Sequence, residues 1–147
     1  IHDTYFIVAH IHYVLFGGSL FGIFAGIYYW YPKMYGKMLN ERWGRLHFVL
    51  TFITFNVTFF PMHVLGLGGH MRRIYDPNVY DFLKGLSDVN EVITIGAIAL
   101  GFSQLILVFN VLYTLRNGKR APRNPWRGCP HAGPGLRLSG VRASLWR

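Results

Sequence analysis

The first twenty residues, IHDTYFIVAHIHYVLFGGSL, set His10 and His12 two positions apart in an otherwise apolar and aromatic run, with His2 and Asp3 just ahead of it. Imidazole is a common metal ligand, and inside an apolar segment a polar ring is costly without a partner. On a strand the two rings would share a face and chelate one ion. On a helix each residue turns by about 100°, so rings two residues apart point about 200° from one another, to nearly opposite sides. The run is too long for a membrane strand and long enough for a spanning helix. One shared ion is then excluded, and two cofactors, one on each side of a single helix, would use both rings. Core histidines bonded to neighbouring helices are the competing reading. Gly17, Gly18, Gly22, Ala25 and Gly26 leave the gaps that large flat cofactors need, although small residues equally serve close helix packing.

Two further groups have chemistry to offer. His2 with Asp3 provides a nitrogen and a carboxylate for a divalent ion such as magnesium or manganese, with water completing the shell. An aspartate at a helix start also serves as an N-cap. Arg72 and Arg73, in GLGGHMRRI, suit carboxylates by bidentate hydrogen bonding, and lipid headgroups or Asp76 are the competing partners. His47, His63 and His70 fall at or near the ends of apolar runs and read as structural. The single cysteine, Cys129, excludes an internal disulfide and a thiolate cluster, which leaves metal binding to histidine and carboxylate.

These residues must be positioned by membrane helices. Of the 147 residues, 52% are hydrophobic and only 14% charged, which is wrong for an ordinary soluble domain. Three apolar runs, about 5–31, 46–65 and 92–115, each approach the ~20 residues that cross a hydrocarbon core, and none contains Lys, Arg, Asp or Glu. The expected fold is all-α, with three transmembrane helices. His10 lies about 8 Å below the outer boundary at a rise of about 1.5 Å per residue. An aromatic belt, Tyr28 to Tyr31, precedes Pro32, which is expected to end the first helix.

The loop charges fix an orientation. The first connection carries Lys33, Lys37, Arg42 and Arg45 against Glu41, and residues 116–147 hold eight Arg and Lys and no acid. Both belong on the cytoplasmic or matrix side, which puts His2, Asp3 and the slightly acidic second connection outside. The net charge of +9 is concentrated in that tail and falls on no base-reading motif, so nucleic acid is not an expected partner, whereas membrane lipid is. The first run lacks the basic leader of a signal peptide. Ile1 reads as the interior of a longer chain. Residues 128–147 have no periodicity and read as a disordered basic tail.

HDTYFIVAHIHYV, FAGIYYWYPKMYG and LTFITFNVTFFPMHVLGLGGHMRRI together closely resemble the last three helices of subunit I of the haem-copper oxidases, over residues 1–127. The HDTY opening resembles the cytochrome c oxidase branch more than the quinol oxidases. The resemblance implies the C-terminal part of a twelve-helix bundle. It implies that His10 is the axial ligand of a high-spin haem (haem a3) facing copper, the catalytic position, and that His12 is an axial ligand of a low-spin haem (haem a). It implies magnesium on His2 and Asp3, and haem propionates on Arg72 and Arg73.

The copper ligands and the second low-spin haem histidine would lie on earlier helices, so the segment alone would be inactive. The implied activity is reduction of dioxygen to water with electrons from cytochrome c, coupled to proton pumping. The implied partners are the rest of subunit I, subunits II and III and cytochrome c, in a bacterial plasma membrane or, less expectedly, a mitochondrial inner membrane. A quinol oxidase and a non-enzymatic truncated membrane segment are the alternatives. After NPW the chain departs from the family pattern, and a reading-frame shift near Arg127 is the expected cause.

Overall fold

A computed structural model describes residues 1–122, 125 and 126. The expected tail, 128–147, lies outside the described residues. Three long helices are found among the described residues: α1, Tyr5–Tyr35, α2, Glu41–Leu67, and α3, Ser87–Asn117. Each is long and apolar enough to cross a membrane. Two short 3-10 turns, Pro77–Val79 and Asp81–Leu86, lead into α3.

All three helices extend past the apolar runs that announce them, because charged residues end hydrophobicity without ending helicity. Pro32 does not end α1, which corrects the sequence expectation. The helix passes through it to Tyr35 and stops at Gly36, whose φ of 66° is the left-handed conformation glycine adopts without a Cβ penalty. Pro32 removes one donor to the preceding turn, while its own carbonyl still accepts from Gly36 N at 2.9 Å. The second helix starts at Glu41 rather than near residue 46, because Asn40 caps it: its side-chain oxygen accepts from Arg42 N at 3.0 Å. Arg45 then pairs with Glu41 one turn away at 2.7 Å.

Inside α1, residues His12–Leu20 are π-helical, with α-helix on either side. Gly17 and Gly18 lie in this widened stretch, where low helix propensity weakens the hold of the tighter turn.

The second helix lies between the other two. Phe55, Phe59 and Leu100 form its buried core with Tyr13, Phe16, Phe21 and Met62 packed around them. Against α3 the seam is polar. Thr51 and Ser103 hydroxyls meet at 3.1 Å, and Gln104 donates to Ser103 at 2.9 Å while its carbonyl oxygen faces His47 Nε2 at 3.2 Å. Two glycines set the helix spacing. A Cβ on Gly66 would overlap the backbone of Phe6, and one on Gly96 would come within 2.9 Å of Thr58 Oγ1. Much of the remaining apolar surface is open, including Phe60, Ile95 and Phe102, as expected of helices surrounded by lipid or by further helices.

The helix ends gather on two sides. At one, Thr4 bridges Met71, and Arg72 N donates to Asp3 O at 2.9 Å. At the other, Lys37 bridges Arg120, and Met38 N donates to Lys119 O at 2.9 Å. The acidic second connection thus shares a side with the N-terminus, and the basic first connection shares one with the segment after α3. This is the alternation that three spans require.

Candidate functional site

His10 and His12 ride on α1 on either side of the junction where α-helix becomes π-helix. Their surroundings differ. His10 is exposed and makes no side-chain hydrogen bond with a described residue. His12 is half-buried and stacked on Phe59 of α2, with ring centroids 4.5 Å apart and an interplanar angle of 16°. The two rings therefore meet different environments, one open and one against the neighbouring helix.

The hydrogen bond of His12 determines its chemistry. Nδ1 lies 2.7 Å from the carbonyl oxygen of Val8. A carbonyl only accepts, so Nδ1 carries the proton and the neutral ring presents the lone pair of Nε2. A ring nitrogen fixed on a backbone carbonyl is the usual support of a metal-bound histidine. Below these rings, Gly18 and Gly22 have no atom within 4 Å of where a Cβ would stand, so that part of α1 keeps open space beside it. The Nε2 lone pair of His12 and the open flank are what a planar metal-containing cofactor beside α1 would require.

Just ahead of α1, His2 Nδ1 and Asp3 Oδ1 are 3.6 Å apart, both exposed. Asp3 is not the N-cap of α1. Thr4 takes that role, its hydroxyl accepting from Phe6 N at 3.3 Å. Asp3 instead accepts from Arg72 Nη2 at 2.8 Å, and the Arg72 guanidinium holds its carboxyl below the usual range, with His2 adding to the effect. Among the described residues no group of three His, Cys, Asp or Glu side chains could hold a metal ion. His2 and Asp3 therefore form a partial site that water or another chain segment must complete.

Arg72 is thus tied to Asp3 rather than only to the partners the sequence suggested, yet a guanidinium with five N–H donors keeps others available. Arg73 is exposed and adopts a φ of 68°, uncommon for a side chain of its size and worth on the order of 1–2 kcal/mol. Backbone strain of this kind is concentrated at functional sites. The N-terminal end of α1 thus brings together His2, Asp3 and Arg72 through direct contacts, while His10 and His12 lie further along the helix.

Of the histidines read as structural, His47 fits that reading. It is buried, and its ring nitrogens face Gln104 at 3.2 Å and Tyr28 OH at 3.4 Å. His63 packs against Phe6 and Tyr13. His70 does not fit it as simply: it is 4% exposed, and its Nε2 has no hydrogen-bond partner among the described residues. The signal in the sequence was its place in an irregular segment beside Arg72, away from any apolar run that would bury it.

These features describe an all-helical membrane segment whose first helix carries two differently placed imidazoles. Its relatives agree. Residues 1–99 match the family model for cytochrome C and quinol oxidase polypeptide I. Over 127 residues the chain is 54% identical to cytochrome c oxidase subunit 1 of Synechocystis, covering 86% of this chain and 22% of the relative. It is 46% identical over 127 residues to cytochrome c oxidase subunit 1 of Bacillus subtilis, covering 85% and 20%. Quinol oxidase subunit 1 of the same organism is 46% identical over 119 residues, covering 81% and 18%. The chain belongs to the cytochrome c and quinol oxidase polypeptide I family, the haem-copper oxidases, and spans about a fifth of the length of these relatives.

Proposed function

We propose that this chain is part of the catalytic subunit of a bacterial terminal oxidase that reduces dioxygen to water with electrons from cytochrome c, coupled to proton pumping. The observation that carries this reading is the arrangement on α1. His12 has its tautomer set by Val8, which leaves Nε2 its lone pair, and His10 is exposed and makes no side-chain hydrogen bond with a described residue. His12 would hold the low-spin haem (haem a), and His10 the high-spin haem (haem a3) at the oxygen-reducing centre, whose copper is held by earlier helices. When bound, the haems and copper supply electron storage and the place where dioxygen is reduced.

The chain's own residues do the rest. Val8 fixes the ring of His12, and Phe59 stacks on it and limits its rotation. One rigid helix keeps the two ligands at a constant separation, which favours electron transfer between their cofactors. Arg72 and Arg73 would hold haem propionates at the outer end, and His2 with Asp3 would bind magnesium with water. The partners are the rest of subunit I, subunits II and III, cytochrome c and the lipid of the plasma membrane.

A quinol oxidase is the second reading, favoured by the 46% identity to quinol oxidase subunit 1. The two separate in one experiment on the purified full-length complex. Oxygen consumption driven by reduced cytochrome c, and little driven by a quinol, is expected. Turnover with quinol alone would establish the second reading.

A further inference from the structure

His70 Nδ1 lies 3.1 Å from the Met71 carbonyl, so Nδ1 bears the proton and the neutral ring keeps a lone pair at Nε2. That nitrogen is buried and has no partner among the described residues, on a side chain only 4% exposed. Tyr5 packs edge-on against the ring, with centroids 4.7 Å apart, and restricts its rotation. Protonating the ring would bury an N–H without an acceptor. Leaving it neutral buries an acceptor without a donor, so either state is costly unless a ligand is present.

The ring lines a cavity of about 360 Å³ at the outer end, between the segment after α2 and the start of α3. The α3 wall of that cavity presents Glu91, Asn90, Ser87 and Thr94. We propose that this cavity binds a zinc-class divalent cation through His70 Nε2 and the Glu91 carboxylate, with Asn90 and water oxygens completing the shell.

The donor set selects the ion class. Imidazole with carboxylate and no thiolate takes Zn²⁺, an ion that accepts mixed nitrogen and oxygen donors, and disfavours the soft Cu⁺. The Nδ1–H bond to a backbone carbonyl is the second-shell support that such ligands use. The cavity far exceeds the ~30 Å³ share of one water, so coordinated waters fit beside the ion. The field is favourable as well. The connection carries Asp76, Asp81, Asp88 and Glu91 against Arg72, Arg73 and Lys84, and two of those cations are already held by carboxylates, Arg72 by Asp3 at 2.8 Å and Lys84 by Asp81 at 2.6 Å. None of these ligands belongs to the His2 and Asp3 pair or to the α1 histidines.

The test is equilibrium binding of Zn²⁺ to the purified full-length complex, after a chelator wash, with zinc-edge X-ray absorption on the loaded protein. Glu91→Gln and His70→Phe are each expected to weaken one Zn²⁺ site at least about tenfold, the scale of losing a metal-site group. His70→Phe should also remove one imidazole from the zinc spectrum. Glu91 is exposed, so its variant folds even where the buried His70 substitution does not. Unchanged zinc stoichiometry and affinity in Glu91→Gln would overturn the proposal. So would a zinc spectrum in wild type that lacks imidazole.

Discussion

At the scale of single residues, the choice between His10 and His12 as ligands and as packing groups turns on where each ring nitrogen is spent. The sequence indicated that the rings diverge, since two helical positions alone determine that. It carried no trace of the Val8 hydrogen bond, because a side chain's tautomer depends on a carbonyl that any residue at that position would offer. Likewise the spacing allowed Asp3 as a cap or a metal ligand, and only the approach of a loop 69 residues away shows Arg72 on it. That contact has a pH signature. The folded pKa of Asp3 is lowered, so the ion pair is complete above the ordinary carboxylate pKa and is lost as pH falls through the lowered value. Arg72→Ala should move the Asp3 titration upward toward 3.8, as followed by the infrared carboxylate bands of the full complex.

At the scale of elements, the number and order of helices were legible because three long runs without a formal charge have few other uses. Their ends were not. Pro32 reads as a stop for α1, but a single proline removes one hydrogen bond, whereas Gly36 can reverse the chain at no steric cost. The π-helical stretch was equally invisible, since the low helix propensity of Gly17 and Gly18 recurs at Gly22 and Gly26, which stand in regular α-helix. Packing between helices gives sharper expectations. Gly66→Ala places a methyl into the backbone of Phe6 and should destabilise the α1–α2 contact by about 1–3 kcal/mol, measured by denaturant unfolding of the full subunit. At the α2–α3 seam, Gln104→Leu leaves His47 Nε2 without its acceptor, and a double-mutant cycle with His47 should give a coupling of about 0.6–1.7 kcal/mol.

At the scale of the whole molecule, charge and topology agree: the basic first connection and the segment after α3 share one side, and the acidic connection shares the other with His2 and Asp3. In cells carrying the full protein with its native cysteines replaced by serine, an impermeant thiol reagent should label Asp81→Cys from outside and leave Lys37→Cys unlabelled. The reverse pattern would invert the orientation. The account centres on one helix serving two cofactors, and paired optical spectra of His10→Ala and His12→Ala in the full-length complex test it most directly. The expected result is selective loss: His12→Ala removes the low-spin haem bands, and His10→Ala abolishes carbon monoxide binding at the high-spin haem. Survival of both haem signals in both variants would contradict it and leave these histidines as packing groups.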